Sequence, residues 1–260
     1  MESPGPGASR PLVVGVSLKM YFDIARTEAW SRRIAAIAAG HPAVVDGVVE
    51  VFVLPSLPAL PAVAAALEGS PVSFGAQDLF WEDSGAYTGG ISGADLRALG
   101  CTWVEVGHSE RRRYFGEDDV TVNLKTAAAL RHGLVPVLCV GERTRGGVDA
   151  AGDECVAQLE SALSGLAAPD APIVVAYEPE WAIGRAEAAD ADHVLAVTGR
   201  IGGFLRAQRS VGPARVVYGG SAGPGLLPRL DGGVQGLFLG RFAHDPEALQ
   251  LILDDAMAVR

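Results

Sequence analysis

A small set of polar residues follows directly on short apolar, β-branched runs: Ser17 and Lys19, Gln77, His108, Glu142, Glu178, Ser221 and the segment 240–245. Lys19, His108 and Glu178 are of the types that proton chemistry needs. A carboxylate can take a proton from carbon, an imidazole can donate to oxygens and pass protons between them, and an ammonium can hold the negative charge that develops. The chain carries 21 Lys and Arg against 31 Asp and Glu, a net charge of −10. Such a chain repels nucleic acid and anionic membrane, and no basic stripe overrides that. An anionic substrate must therefore meet local positive charge, and Lys19 supplies it. Lys19 and Lys125 are the only lysines. Lys125 falls in a helical pattern, which weighs against a lyase or synthase that needs a Schiff-base lysine on an inner strand.

No disulfide framework or zinc site is expected. Cys101, Cys139 and Cys155 are odd in number and show no CxxC or Cys/His spacing. They read as buried, reduced thiols of a cytoplasmic protein. Residues 1–10, MESPGPGASR, have no apolar signal-like region and read as a short disordered tail before a single domain over 11–260. The longest uncharged apolar stretch is cut by Pro55, Pro58 and Pro61, so no membrane span is expected.

The elements that must position these residues are legible as alternating patterns. Strands are expected at 12–18, 49–54, 72–77, 102–107, 135–140, 173–178, 214–219 and 235–240. They are almost continuously apolar, as parallel strands covered on their outer face should be. Between them, Asp119 precedes Val120, Leu124 and Ala127, with Gly133 as a stop. Val156, Leu159, Leu163 and Leu166 mark a second helical stripe. Val194, Val197, Ile201 and Leu205 mark a third, capped by Asp190 or Asp192. The alternation implies a parallel α/β fold, and the pattern alone leaves a closed barrel and an open sheet both possible. No GxGxxG follows the first strand, which weighs against dinucleotide binding.

Eight segments, in order and across nearly the whole chain, resemble the triosephosphate isomerase family. They are LKMY (18–21), GAQD (75–78), GAYTGGIS (85–92), VGHSERR (106–112), FGE (115–117), CVGE (139–142), AYEPEWAIG (176–184) and YGGS (218–221). The resemblance implies a (β/α)₈ barrel with its site at the C-terminal ends of the strands. It implies Glu178 as the base and His108 as a neutral electrophile beside a helix N-terminus, in the pattern known for this enzyme. Lys19 becomes the electrostatic stabiliser, and Ser109 and Glu110 stand behind these groups. Pro179, Trp181, Ala182 and Ile183 form a lid, while Gly184, Ser221, Gly240 and Arg241 hold the phosphate. Gln77 and Thr88 lie in a loop that docks into a partner in the family, so a homodimer is implied. His41, His132 and His193 receive no role.

Several departures from the family pattern fall around the substrate. Ser17 stands where Asn is usual two residues before the lysine, and Leu18 where Trp is usual. After Gly184 the usual Thr-Gly-Lys becomes Arg185-Ala186-Glu187, and the usual Gly-Gly after strand eight becomes Gly240-Arg241. Gly90 replaces a common glutamate. The guanidinium of Arg241 could add a bidentate phosphate contact or point to solvent. The expected activity is aldose–ketose interconversion of glyceraldehyde 3-phosphate and dihydroxyacetone phosphate through an enediolate. The shorter Ser17 and rebuilt phosphate end carry an alternative, a four-carbon ketose phosphate such as an erythrulose phosphate. A third reading, a non-catalytic barrel serving as a binding subunit, is weakened by retention of Lys19, His108 and Glu178 together.

Overall fold

The computed structural model describes residues 10–230 and 232–259; the expected N-terminal tail lies, but for Arg10, outside them. All eight apolar runs form strands, each end within one residue of its expected place. They are β1 (Leu12–Ser17), β2 (Val49–Leu54), β3 (Ser73–Ala76), β4 (Trp103–Val106), β5 (Val135–Val140), β6 (Ile173–Tyr177), β7 (Ala214–Tyr218) and β8 (Gly236–Leu239). Every pair is parallel, and β8 pairs back onto β1 to close a barrel in chain order. Closure resolves the choice that sequence pattern left open, and the fold is a (β/α)₈ barrel.

Alternation along each strand divides its side chains between two cores. Val13, Phe52, Trp103, Val137, Val174, Val217 and Phe238 fill the barrel interior. Phe52 stacks on Trp103 with ring centroids 4.3 Å apart. Gly15 is required here, because a Cβ on it would stand 2.2 Å from the Phe52 ring. Val14, Val51, Val104, Leu138 and Val175 face outward against Ile34, Leu159, Ile201 and Leu249 of the surrounding helices.

The helices are α1 (Ile24–Gly40), α2 (Pro42–Val45), α3 (Leu60–Ala66), α4 (Gly93–Ala98), α5 (Ser109–Phe115), α6 (Asp119–Arg131), α7 (Val148–Leu163), α8 (Ala191–Ala207) and α9 (Pro246–Ala258). In α8 all four stripe residues are buried and Asp190 is the cap, accepting from Asp192 N at 3.0 Å. The other two stripes need correction. Asp118, not Asp119, caps α6, and Val120 and Leu124 are exposed while Val122, Thr126 and Ala129 are buried. The expected stripe is out of phase because Lys125 is buried with that face, paired with Asp78 and with Glu117 at 2.6 Å. In α7, Cys155 and Ala162 join Leu159 and Leu163, and Leu166 lies past the helix end. Among the described residues no helix is long and apolar enough to cross a membrane.

Candidate active site

Residues at the C-terminal ends of β1, β4, β6, β7 and β8 surround one cavity of about 640 Å³. Its lining includes Ser17, Lys19, His108, Glu110, Glu178, Ile183, Gly184, Ser221, Gly240 and Arg241. The structure thus brings together most of the expected site. Of the residues expected to form a lid, Pro179 and Ala182 are buried and Trp181 is half-buried; Ser109 opens α5 without lining the cavity.

His108 is the N-cap of α5, and its Nδ1 accepts the backbone N–H of Glu110 at 3.1 Å. A backbone amide can only donate, so Nδ1 carries no proton and a neutral ring must hold it on Nε2. Burial, followed by the charges of Lys19 and Arg111, lowers the imidazole to about 3. The ring is therefore neutral at any physiological pH, with its N–H turned to the cavity.

Lys19 adopts φ 49°, a left-handed conformation that is strained for a residue with a Cβ. Gln77 holds that turn by donating to the carbonyls of Lys19 and Leu54 at 3.0 and 2.9 Å. The ammonium donates to Glu110 at 2.8 Å and stands 3.2 Å from His108 Nε2. With Nε2 protonated, these are two donors facing one point, suited to a shared oxygen acceptor. Burial alone would lower the Lys19 ammonium, but Glu178, Glu110 and Glu105 outweigh it and the net shift is upward.

Glu178 follows β6 and is buried. Its Oε2 has no hydrogen-bond partner and lies 3.6 Å from His108 Nε2. Burial drives this carboxyl up to about 7, against the opposing pull of Lys19. A desolvated carboxylate poised near neutrality can serve as a general base toward carbon. Gly219 makes room for it, since a Cβ there would lie 2.6 Å from both Glu178 Cγ and Oε1.

The segment after Glu178 is tied down at both ends. Glu142 accepts from Tyr177 OH, from Trp181 Nε1 at 2.7 Å, and contacts His193 Nε2 at 3.0 Å. His193, without a role from sequence, thus braces the start of this segment. Farther along, Ser221 Oγ donates to Ala182 O at 2.9 Å, Arg241 Nη2 donates to Gly184 O at 2.9 Å, and Ala189 N donates to Tyr218 OH at 2.9 Å. Ser221 is the second non-glycine residue at positive φ (56°). Arg241 lines the cavity and also ties down this segment at Gly184.

Sequence reasoning overlooked Glu105. Its signal was an acid within the apolar run TWVEVG, on the register that points inward with Trp103. Glu105 is 3% exposed and its Oε2 accepts from Ser17 Oγ at 2.9 Å. Its Oε1 lies 3.9 Å from His108 Nε2. Burial, and then repulsion from Glu178, push its carboxyl up to about 8. Lys125, by contrast, sits on α6 away from this cavity with its charge satisfied by carboxylates.

Comparison with known proteins places the chain among barrel isomerases. The family model described as Triosephosphate isomerase matches residues 12–256. A protein of Pectobacterium atrosepticum named L-erythrulose-1-phosphate isomerase is 50% identical over 255 residues, covering 97% of this chain and 98% of that protein. Its namesake from Rhizobium etli is 42% identical, over 92% of this chain and 90% of that one. A triosephosphate isomerase of Moorella thermoacetica is 46% identical over 72% of this chain and 79% of its own. Among solved structures, triosephosphate isomerase from Bartonella henselae matches with a TM-score of 0.79 and 27% identity, over 95% of this chain and 99% of that one.

Proposed function

The chain belongs to the triosephosphate isomerase family, and from that premise we propose that it isomerises a four-carbon ketose phosphate, L-erythrulose 1-phosphate, through an enediolate. The observation that carries an enediolate route is the buried, unpartnered Oε2 of Glu178 facing His108 Nε2 at 3.6 Å, with Lys19 3.2 Å from the same nitrogen. In that substrate the carbonyl is on C2, a hydroxyl on C3 and the phosphate on C1. Glu178 takes the C3 proton, and the C–H electrons form the C2–C3 double bond as the carbonyl pair moves onto oxygen. Lys19 and the Nε2–H of His108 stabilise that oxyanion, and His108 passes a proton from one oxygen to the other. Glu178 then returns its proton to C2. The carbonyl has moved to C3, so the product is again a ketose, with its phosphate at the opposite end from the new numbering. With a triose the same steps connect a ketose and an aldose.

The choice of four carbons is supported by the two relatives of that name that match over nine-tenths or more of this chain, and by Ser17 in place of the family's longer Asn. The triose is the second reading, favoured by the family motifs and by the relative from Moorella thermoacetica. The phosphate belongs at the lid end, among Gly184, Ser221, Gly240 and Arg241. We also propose a homodimer, because Met20 and Tyr87, on loops after β1 and β3, and Tyr114 and Phe115, at the end of α5, are exposed. Cytoplasmic location is suggested by three free, buried cysteines. No cofactor is required for moving an α-proton between acid–base groups.

The route is tested by incubating the protein with L-erythrulose 1-phosphate in D₂O and following the carbons by NMR. Deuterium should enter the positions next to the carbonyl, and Glu178→Gln should abolish exchange. Product without solvent deuterium, or exchange that survives Glu178→Gln, would remove the enediolate route with Glu178 as base.

A further inference from the structure

We infer that Glu105 and Ser17 form a specificity pair that recognises the terminal hydroxyl of the substrate, selecting four carbons over three. The inference rests on the proposed four-carbon reading and extends it to Glu105, which lies outside the family segments, and to Ser17, which departs from the family pattern. L-Erythrulose 1-phosphate is dihydroxyacetone phosphate with a hydroxymethyl group on the carbon that loses its proton. That group must lie beyond the reacting carbons, away from the phosphate. With the phosphate among the loops of β6, β7 and β8, the opposing wall belongs to β4, which stands across the eight-strand ring from β8. His108 and Glu105 come from that wall.

Glu105 is otherwise hard to account for. It lies in the barrel interior with Trp103, Val137, Cys139 and Ala176, where a carboxyl is costly unless it has work to do. Its one hydrogen bond of ordinary length is from Ser17 Oγ, at 2.9 Å; the Cys139 thiol is 4.0 Å from its other oxygen. Ser17 Oγ donates to Glu105 Oε2, and it keeps doing so when Glu105 is ionised or carries its proton on Oε1, so in that arrangement the Ser17 proton is committed to Glu105. Ser17, which lines the cavity, is left with lone pairs facing it. A hydroxyl so oriented accepts from a substrate hydroxyl, whereas the family's Asn could offer N–H donors from the same place. The shorter side chain also leaves space for one more carbon. Glu105 is thus a positioning residue that acts through Ser17.

The test compares kcat/KM for L-erythrulose 1-phosphate, its 4-deoxy analogue and dihydroxyacetone phosphate, using the full-length protein and the variants Glu105→Gln, Ser17→Ala and the double variant. Loss of one substrate hydrogen bond should lower the four-carbon kcat/KM about 10- to 100-fold in Ser17→Ala. Dihydroxyacetone phosphate should change by less than about threefold, since it has no group at that position. The 4-deoxy analogue should be poor for the parent protein and no poorer for Ser17→Ala. Glu105→Gln should lower the four-carbon selectivity in the same direction, because a glutamine amide can turn to donate to Ser17. The double variant should be no worse than Ser17→Ala alone, as both act through one bond. Equal losses on the three- and four-carbon substrates would make the pair structural and overturn the inference. Unchanged selectivity in Ser17→Ala would overturn it too, while leaving the four-carbon reading intact. A parent protein that prefers the triose removes both.

Discussion

Replacing Glu105 by glutamine keeps the side chain's size and an oxygen for Ser17, but removes the ability to ionise inside the barrel. The wild-type carboxyl is moved from 4.5 to about 8, first by burial and then by the Glu178 charge. Between those values the native state holds a proton that the unfolded chain has released. Stability therefore falls as pH rises through this window, and the loss is complete only above the native value. At 1.36 kcal/mol per unit the full shift corresponds to about 5 kcal/mol. Part of it reflects repulsion from Glu178, which need not be ionised at the same time, so about 3 kcal/mol is a realistic yield. Glutamine escapes that penalty. Glu105→Gln should match the wild type at pH 5 and exceed it by about 3 kcal/mol at pH 9, or roughly 6–10 °C in Tm. Urea midpoints at the two pH values, with the m-value checked for constancy, read the difference directly. A gap that does not change with pH, or a variant less stable at pH 9, would refute a desolvated Glu105.

Three further outcomes follow from the same geometry. Gly219→Ala should fold normally, because Gly219 is not at positive φ, but its Cβ would displace the Glu178 carboxylate. Its kcat should drop by about 100-fold in a steady-state assay, with Tm lowered by a few degrees through overpacking beside the buried Glu178. The acid limb of kcat/KM should turn near pH 7, where burial has placed Glu178, since the base must be ionised to act. A limb near 4.5 would mean a solvated carboxylate. Arg241→Gly should raise KM about 10-fold if the guanidinium reaches the phosphate while holding the Gly184 carbonyl, and an unchanged KM would make it a lid fastener only.

The barrel was legible because its strands are buried on both faces and its turns are short, so each strand stands out as an unbroken apolar run. Barrel closure was not legible in that pattern, since β8 pairing with β1 is a long-range contact that no local pattern encodes; the eight ordered family segments implied it instead. The α6 stripe misled because apolar residues at helical spacing were taken as core, whereas Lys125 is buried by ion pairing and carries the inward face with it. The set Lys19, His108 and Glu178 was found through ordered family motifs, and the structure adds what residue types cannot: the His108 tautomer, fixed by Glu110 N. Glu105 escaped because a single acid in an apolar run is invisible to motif reading, and its meaning emerges only when β1 and β4 bring Ser17 to it. His193 was passed over for a similar reason, its partner Glu142 being 51 residues distant along the chain.

The most direct test of the central claim is a side-by-side determination of kcat/KM for L-erythrulose 1-phosphate and for glyceraldehyde 3-phosphate with the purified protein. The account predicts turnover of both through one site, with the four-carbon ketose phosphate preferred by at least about 10-fold, the worth of roughly one substrate hydrogen bond. A triose kcat/KM near the diffusional ceiling of roughly 10⁸ M⁻¹s⁻¹, with little turnover of the four-carbon substrate, would contradict it.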